Sequence, residues 1–408
     1  MIVGAIAVAM LAAGAQTVPC ASPGCGAPPY RHVMVRDFRT VKGGQVITFN
    51  IGTAAHCPGT LAALKARWPG VKFSVWADAP LAPELARMMA RRFPDVEIFT
   101  GSEVPKTDAD LLLVSSGSGI AGSVRGSIAA WRAQKGGKAP VAAYAIGYST
   151  AIKPFTETFD FCLFRDRKAL ESAVADSAVP KVHGFAPDAV FDFDAADDDG
   201  AAALIAEHGL EPGRFVCAIP GHRFTPSAKI TARKAARNAE RELPDNAIVC
   251  AAVIEAVRRH GMKALLCAEQ RSEMPLATRV LYDRLPPDVK GRCVVLRRFW
   301  APDLALGTYR RSRCVFGIEM HSQVMALGSG IPACVFRHSG FGSKSGMWND
   351  LGVGCWLLDI DSPGAAEKAA AMVGGILADP EGAAAKCRAV RKAIDAAEIE
   401  AAKLVSQR

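Results

Sequence analysis

The strongest constraint in this sequence is a repeated alternation of two periods. Short runs rich in β-branched and aromatic residues appear at QVITFNI, KFSVWAD, DLLLVSS, VAAYAIG and DFCLF. Between them lie helical patterns such as Thr60 to Trp68, Pro83 to Arg92 and Gly122 to Lys135. Strand followed by helix, repeated, builds a parallel sheet with helices on both faces. An acidic stretch, FDFDAADDDG, interrupts the alternation at residues 191–200. Beyond it the pattern resumes, with strands expected at RFVCAIP, MKALLCA, RCVVLRR, RCVFGIE, IPACVFR and GCWLLDI. Helices fit Ile248 to His260, Pro275 to Leu285, Pro302 to Arg311, His321 to Ser329 and Pro363 to Leu377. The expected fold class is therefore α/β, with two Rossmann-like domains facing a cleft.

Length agrees, since 408 residues suit two domains better than one. The expected organisation is a linker over 16–43, an N-terminal domain over 44–198, a C-terminal domain over 199–380 and a closing helix over 381–408. Residues 1–15 are almost wholly apolar, and Ala13-Gly14-Ala15 has the small-x-small form of a cleavage site. This segment reads as an export signal, too short for a stable transmembrane anchor, that would send the protein to the periplasm or cell envelope. The basic flank of such a signal is missing, so a cytoplasmic location stays open. The net charge of +9 is spread over the chain without a basic stripe, which argues against nucleic acid and suits an anionic small molecule or an acidic glycan. The 12 cysteines show no zinc-ribbon or Cys-x-x-Cys spacing. Cys217, Cys267, Cys314 and Cys334 sit in apolar runs and read as core residues, whereas Cys20 and Cys25 fall in a loop-like stretch. No metal and no cofactor is expected.

In open α/β sheets ligands sit beyond the carboxyl ends of the strands, so four strand ends matter most. In NIGTAAHCPGT, Gly52 reads either as a tight turn or as a binding loop at a helix start. In VSSGSGIAGSVRG, Ser116, Gly117 and Ser118 offer neutral donors to phosphate or sugar hydroxyls. In AIPGHRFTPSAK, Arg223 offers a planar fork for a carboxylate or phosphate. The fourth and richest runs from Cys314 to Gly352, where Glu319, His321 and Ser322 form a polar elbow and Arg337, His338 and Lys344 follow the next strand.

At these residues the chain resembles the polysaccharide pyruvyl transferase family. The resemblance rests on Asn50-Ile51-Gly52, the Ser116 to Gly119 loop, Arg165-Asp166, Arg223, the elbow Glu319-Met320-His321-Ser322, Gly330-Ile331-Pro332, Lys344 and Leu351-Gly352. Two positions depart from the family pattern: Thr53 stands where an acidic residue is usual, and Glu319 where an Arg is usual. The resemblance implies a GT-B-like fold and transfer of a pyruvyl group from phosphoenolpyruvate to a sugar of an exopolysaccharide or other glycan. His321 would move the proton, with Glu319 beside it as its partner. Arg223 and Lys344 would hold the donor's anionic groups, while Ser322, Gly52, Ser116, Gly117 and Ser118 would contact substrate. Two other readings stay open: a GT-B-type glycosyltransferase using a nucleotide sugar, and a glycan-binding protein without catalysis. The partners expected are a small-molecule donor and a glycan acceptor.

Overall fold

The centre of the first sheet is HVMVR, a segment whose sequence looks too polar for that place. In the computed structural model, which describes residues 28–117, 123–226, 230–338 and 341–407, this segment is β1 (His32–Arg36) and every residue of it is buried. It pairs in parallel with β4 (Lys72–Ala77) on one side and β6 (Leu111–Val114) on the other. The stretch expected as a linker over 16–43 therefore contains a central strand. Its charged ends are satisfied internally: His32 bonds Ser74 Oγ at 2.9 Å, and Arg36 bonds Ser127 Oγ at 2.8 Å, the Trp76 carbonyl at 2.9 Å and the Asp78 carboxylate. Buried polar groups are tolerated when they are hydrogen-bonded.

QVITFNI departs in the opposite direction. Only its first two residues are extended, as β3 (Gln45–Val46) in a small hairpin with β2 (Val41–Lys42). Asn50 then caps the helix Ile51–Arg67, its side chain accepting from the Thr53 N–H at 2.9 Å. Gly52 is thus in the first turn of a helix and not in a strand-end loop.

The full first sheet has the order β5-β4-β1-β6-β7-β8-β9, with β5 (Glu97–Thr100), β7 (Val141–Ile146), β8 (Phe161–Phe164) and β9 (Val182–Phe185), all parallel. The second has the order β12-β11-β10-β13-β14-β15, from β10 (Phe215–Ile219), β11 (Lys263–Leu266), β12 (Cys293–Val295), β13 (Cys314–Gly317), β14 (Ala333–Arg337) and β15 (Leu357–Asp359). It too is wholly parallel. Cys217, Cys267, Cys314 and Cys334 are buried in it or at its ends.

One apolar core joins the two halves, running from Val33 and Ile51 through Phe191 to Val324, Trp348 and Val405. Main-chain bonds stitch the seam: Ile51 N–H donates to the Glu269 carbonyl at 3.0 Å, and Arg271 N–H to the Phe49 carbonyl at 2.9 Å. The last helix, Pro380–Ser406, returns to the first half, where Arg391 meets Asp192 at 2.9 Å and Arg67 meets Asp395 at 2.7 Å and Glu398 at 2.8 Å. Among the described residues no helix is long and apolar enough to cross a membrane. The export signal, Cys20, Cys25, Ser118 and Gly119 lie outside the described residues.

Candidate functional site

Strand ends from both sheets converge at the seam. After β13 the chain turns through Glu319 and Met320 into the helix His321–Gly328. After β11 it reaches Glu269, whose carboxylate is fully buried. Glu269 Oε1 meets His321 Nδ1 at 3.0 Å, and Oε2 accepts from the Ser322 N–H at 2.7 Å and from its hydroxyl at 3.0 Å. Burial raises the Glu269 carboxyl, but the His321 ring and the Ser322 N–H outweigh it and hold the group below its usual range. The carboxylate partner of His321 is therefore Glu269, not the sequence neighbour Glu319.

Ser322 is also placed differently from expectation. It is fully buried, between the Tyr309 hydroxyl at 3.1 Å and Glu269, so it orients the carboxylate from within the protein interior.

The first half contributes a second histidine. His56 lies one helical turn beyond Gly52 on the helix Ile51–Arg67, where residues four apart share a face. Its ring stands edge-on to that of His321, with centroids 5.1 Å apart and planes at 87°. His56 Nε2 is 3.7 Å from Asp188 Oδ1, just past the end of β9. Asp188 is fully buried and accepts from Arg165 at 3.1 Å, the Val190 N–H at 3.1 Å and Ser116 Oγ at 3.2 Å. Burial pushes the His56 ring down to about 3, although Asp188 pulls the other way. Burial would raise Asp188, but His56 and Arg165 bring it down to about 2.

The two glycines expected to touch substrate make room for these rings. A Cβ on Gly52 would lie 2.5 Å from His321 Nδ1 and closer still to its Cβ and Cγ. Gly117 has φ +110°, and a Cβ there would lie 2.7 Å from His56 Cε1. Ser116 is buried as well, donating to Asp188 and to the Ala145 carbonyl at 3.0 Å.

Beside this cluster, beyond the ends of β10, β13 and β14, is a pocket of about 350 Å3 lined by His222, Arg223, Glu319, His338, Phe341 and Lys344. Lys344 Nζ stands 4.4 Å from the centre of the Phe341 ring. Arg223 reaches the pocket wall, but its guanidinium is already bracketed. It bonds Asp245 at 2.6 and 2.9 Å and Asp361 at 3.0 Å, and these carboxylates raise its pKa. Two acidic partners balance its charge, so the expected anion fork is a structural clamp. Glu319 accepts from Gln270 Nε2 at 3.0 Å, and the same amide donates to Glu273 at 3.0 Å. Burial raises both Glu319 and Glu273, the nearby Glu269 carboxylate adds to it in each, and the two carboxyls are hydrogen-bonded to one another.

The sequence reading missed His56, Asp188, Glu269 and Glu273. The i, i+4 spacing of Gly52 and His56 was one available signal. An acidic residue directly after the strand MKALLCA was another.

Two parallel α/β halves with polar groups converging from facing strand ends define a GT-B-like protein of two Rossmann-like domains. Solved structures share this architecture. A putative UDP-N-acetylglucosamine 2-epimerase from Listeria monocytogenes superposes with a TM-score of 0.57 at 13% identity, over 91% of this chain and 94% of that one. A glycosyltransferase from Rickettsia africae gives 0.52 at 9% identity, over 92% and 96%. The Anabaena protein HepE, solved in complex with UDP and glucose, gives 0.50 at 12% identity, over 92% and 98%. At such identities the likeness is one of fold. No curated protein matches the sequence. The sequence pattern of the polysaccharide pyruvyl transferases matches residues 50–340, and the chain belongs to that family.

Proposed function

We propose that this protein transfers the pyruvyl group of phosphoenolpyruvate to two hydroxyls of a glycan, forming a cyclic ketal and releasing phosphate. The observation that carries this reading is the state of His321. Its Nδ1 is fixed on a buried carboxylate, while Nε2 is buried without a hydrogen-bond partner, at the elbow that characterises the family. A ring held in one orientation by a carboxylate is a prepared proton-transfer group. His321 Nε2 would deliver a proton to the methylene carbon of the donor. A sugar hydroxyl oxygen would then bond to the adjacent carbon, its proton returning to His321 Nε2, and a second hydroxyl would displace phosphate from that carbon, with phosphate taking the second hydroxyl's proton.

Lys344, which lines the pocket together with Lys234, is suited to the donor's anionic groups. At about 4 Å and an effective dielectric of about 20, one such contact supplies about 4 kcal/mol of attraction. Glu319, in place of the usual Arg, forms a hydrogen-bonded pair with Glu273, which weakens the repulsion that a bare carboxylate would exert on the donor.

The decisive assay is phosphate release from phosphoenolpyruvate in the presence of candidate glycans, with His321→Ala expected to slow it by about 100-fold or more. Turnover of a nucleotide sugar, with none of phosphoenolpyruvate, would favour the glycosyltransferase reading instead. The specific feature on that side is Glu319 on the pocket wall, a carboxylate that offers acceptor oxygens to hydroxyls.

A further inference from the structure

His56, Asp188 and His321 are far apart in the sequence, yet one ligand atom from each lies within 4.8 Å of the others. His56 Nε2 and His321 Nε2 are both buried and both lack a hydrogen-bond partner. Leaving such atoms unpaired costs about 1–3 kcal/mol each, so their placement together across the seam calls for a ligand that serves both.

We infer that His56 Nε2, His321 Nε2 and Asp188 Oδ1 hold a divalent transition-metal ion of the zinc type. Two imidazoles and one carboxylate form a donor set suited to zinc and unlike the all-oxygen sets of magnesium or calcium. Three protein ligands leave a fourth position open. The surrounding groups match those that steady metal ligands elsewhere. Glu269 takes the Nδ1–H of His321, which leaves Nε2 as the donor atom. Arg165, the opposing cation, sits on Asp188 Oδ2 and not on Oδ1. Ligand atoms around a tetrahedral zinc stand about 3.3 Å apart, given bonds of about 2.0–2.1 Å. His56 Nε2 and Asp188 Oδ1 stand at 3.7 Å, and all three ligand atoms lie within 4.8 Å of one another. Gly52 and Gly117 clear the space beside both rings.

A consequence rests on the role proposed above for His321: a bound ion occupies the nitrogen that would carry the proton, so metal and proton transfer exclude one another.

The binding itself is tested without any transfer assay. Co2+ is titrated into chelator-treated full-length protein and visible absorption is recorded. Expected are ligand-field bands of one tetrahedral Co2+ per chain, abolished by Zn2+ and lost in His56→Gln. Glu269→Gln should weaken binding by about 10–100-fold. Absence of such bands in the wild type overturns the proposal, as does sulfur-to-cobalt charge transfer, which would place the ion on cysteines. Should His56→Gln fail to fold, X-ray absorption at the zinc edge of the loaded wild type decides: imidazole and oxygen ligation supports the site, and sulfur ligation overturns it. Metal binding without pyruvylation, or pyruvylation without metal binding, would separate the failure of one reading from that of the other.

Discussion

Replacing Gly52 by alanine adds one methyl group to a helix, a change that usually stabilises. Here we expect the reverse. The new Cβ would lie 2.5 Å from His321 Nδ1, and closer to two ring-side carbons, where ordinary contact begins at 3.4 Å. His321 must therefore retreat by about 1.3–1.8 Å, given contact distances of about 3.5–4.0 Å between carbons. That retreat breaks its 3.0 Å bond to Glu269. Overpacking costs about 1–3 kcal/mol, and the lost charge-assisted bond about 1.5–3 kcal/mol. Against them stands a helix-propensity gain of about 1 kcal/mol. The net expectation is a destabilisation of about 1.5–5 kcal/mol, from the same overpacking, hydrogen-bond and propensity contributions. Gly126→Ala is the control, because Gly126 is helical, exposed and has nothing within 4 Å of its would-be Cβ. It should stabilise by up to about 1 kcal/mol. Urea unfolding of both variants reads the difference, and the His321 ring signals in NMR report its position. A Gly52→Ala protein as stable as Gly126→Ala, with unshifted His321 resonances, would refute the packing argument.

Burial and the nearby Arg223 lower His338 from its ordinary 6.5 to about 4. Its folded-state value lies below the unfolded one, so the unfolded chain binds the extra proton first. Stability should therefore fall as pH drops from about 6.5 toward about 4, by up to about 3 kcal/mol. His338→Gln should remove that part of the slope in denaturation curves, and an unchanged slope would exclude the effect. Arg223→Met leaves Asp245 and Asp361 with Arg241 alone and should cost up to about 3 kcal/mol of stability, less than a fully stranded buried charge would. A wild-type melting temperature with a raised donor KM would return Arg223 to the role of a ligand residue. Ser322→Ala should cost about 1–2 kcal/mol through its lost bonds to Glu269 and Tyr309. Because Ser322 is buried, KM for the glycan should stay within a few-fold of wild type, and a large rise in KM would contradict this placement.

The repeating parallel units were legible because their strands are continuous apolar runs, as expected for sheets covered on both faces. β1 was not, because His32 and Arg36 look exposed until Ser74, Asp78 and Ser127 are seen around them. Gly52 read as a turn or a binding loop because QVITFNI looked like a strand running into it, yet Asn50 in that run is a helix cap. His321 could be picked out from its elbow, whereas its carboxylate partner comes from 52 residues away. Arg223 was recognised as lying at a strand end, but its neutralisation depends on Asp361, 138 residues distant. Local pattern identifies which residues end strands, and only the packing of one strand end on another decides what each of them is free to do.

The return of the last helix to the first half bears on how this chain is made. Arg391 is the partner of Asp192, and 199 residues separate them, the difference of the two positions. At about 5–20 residues per second, a ribosome adds that length in about 10–40 s. Throughout that interval the emerging first half has its sheet but lacks the helix that closes it, and Asp192 awaits the guanidinium of Arg391 while Arg67 awaits the carboxylates of Asp395 and Glu398. The two halves are thus domains in space but not in time. A nascent chain stalled anywhere before residue 380 would present the uncovered face to chaperones, and emergence of the helix Pro380–Ser406 is the event that covers it.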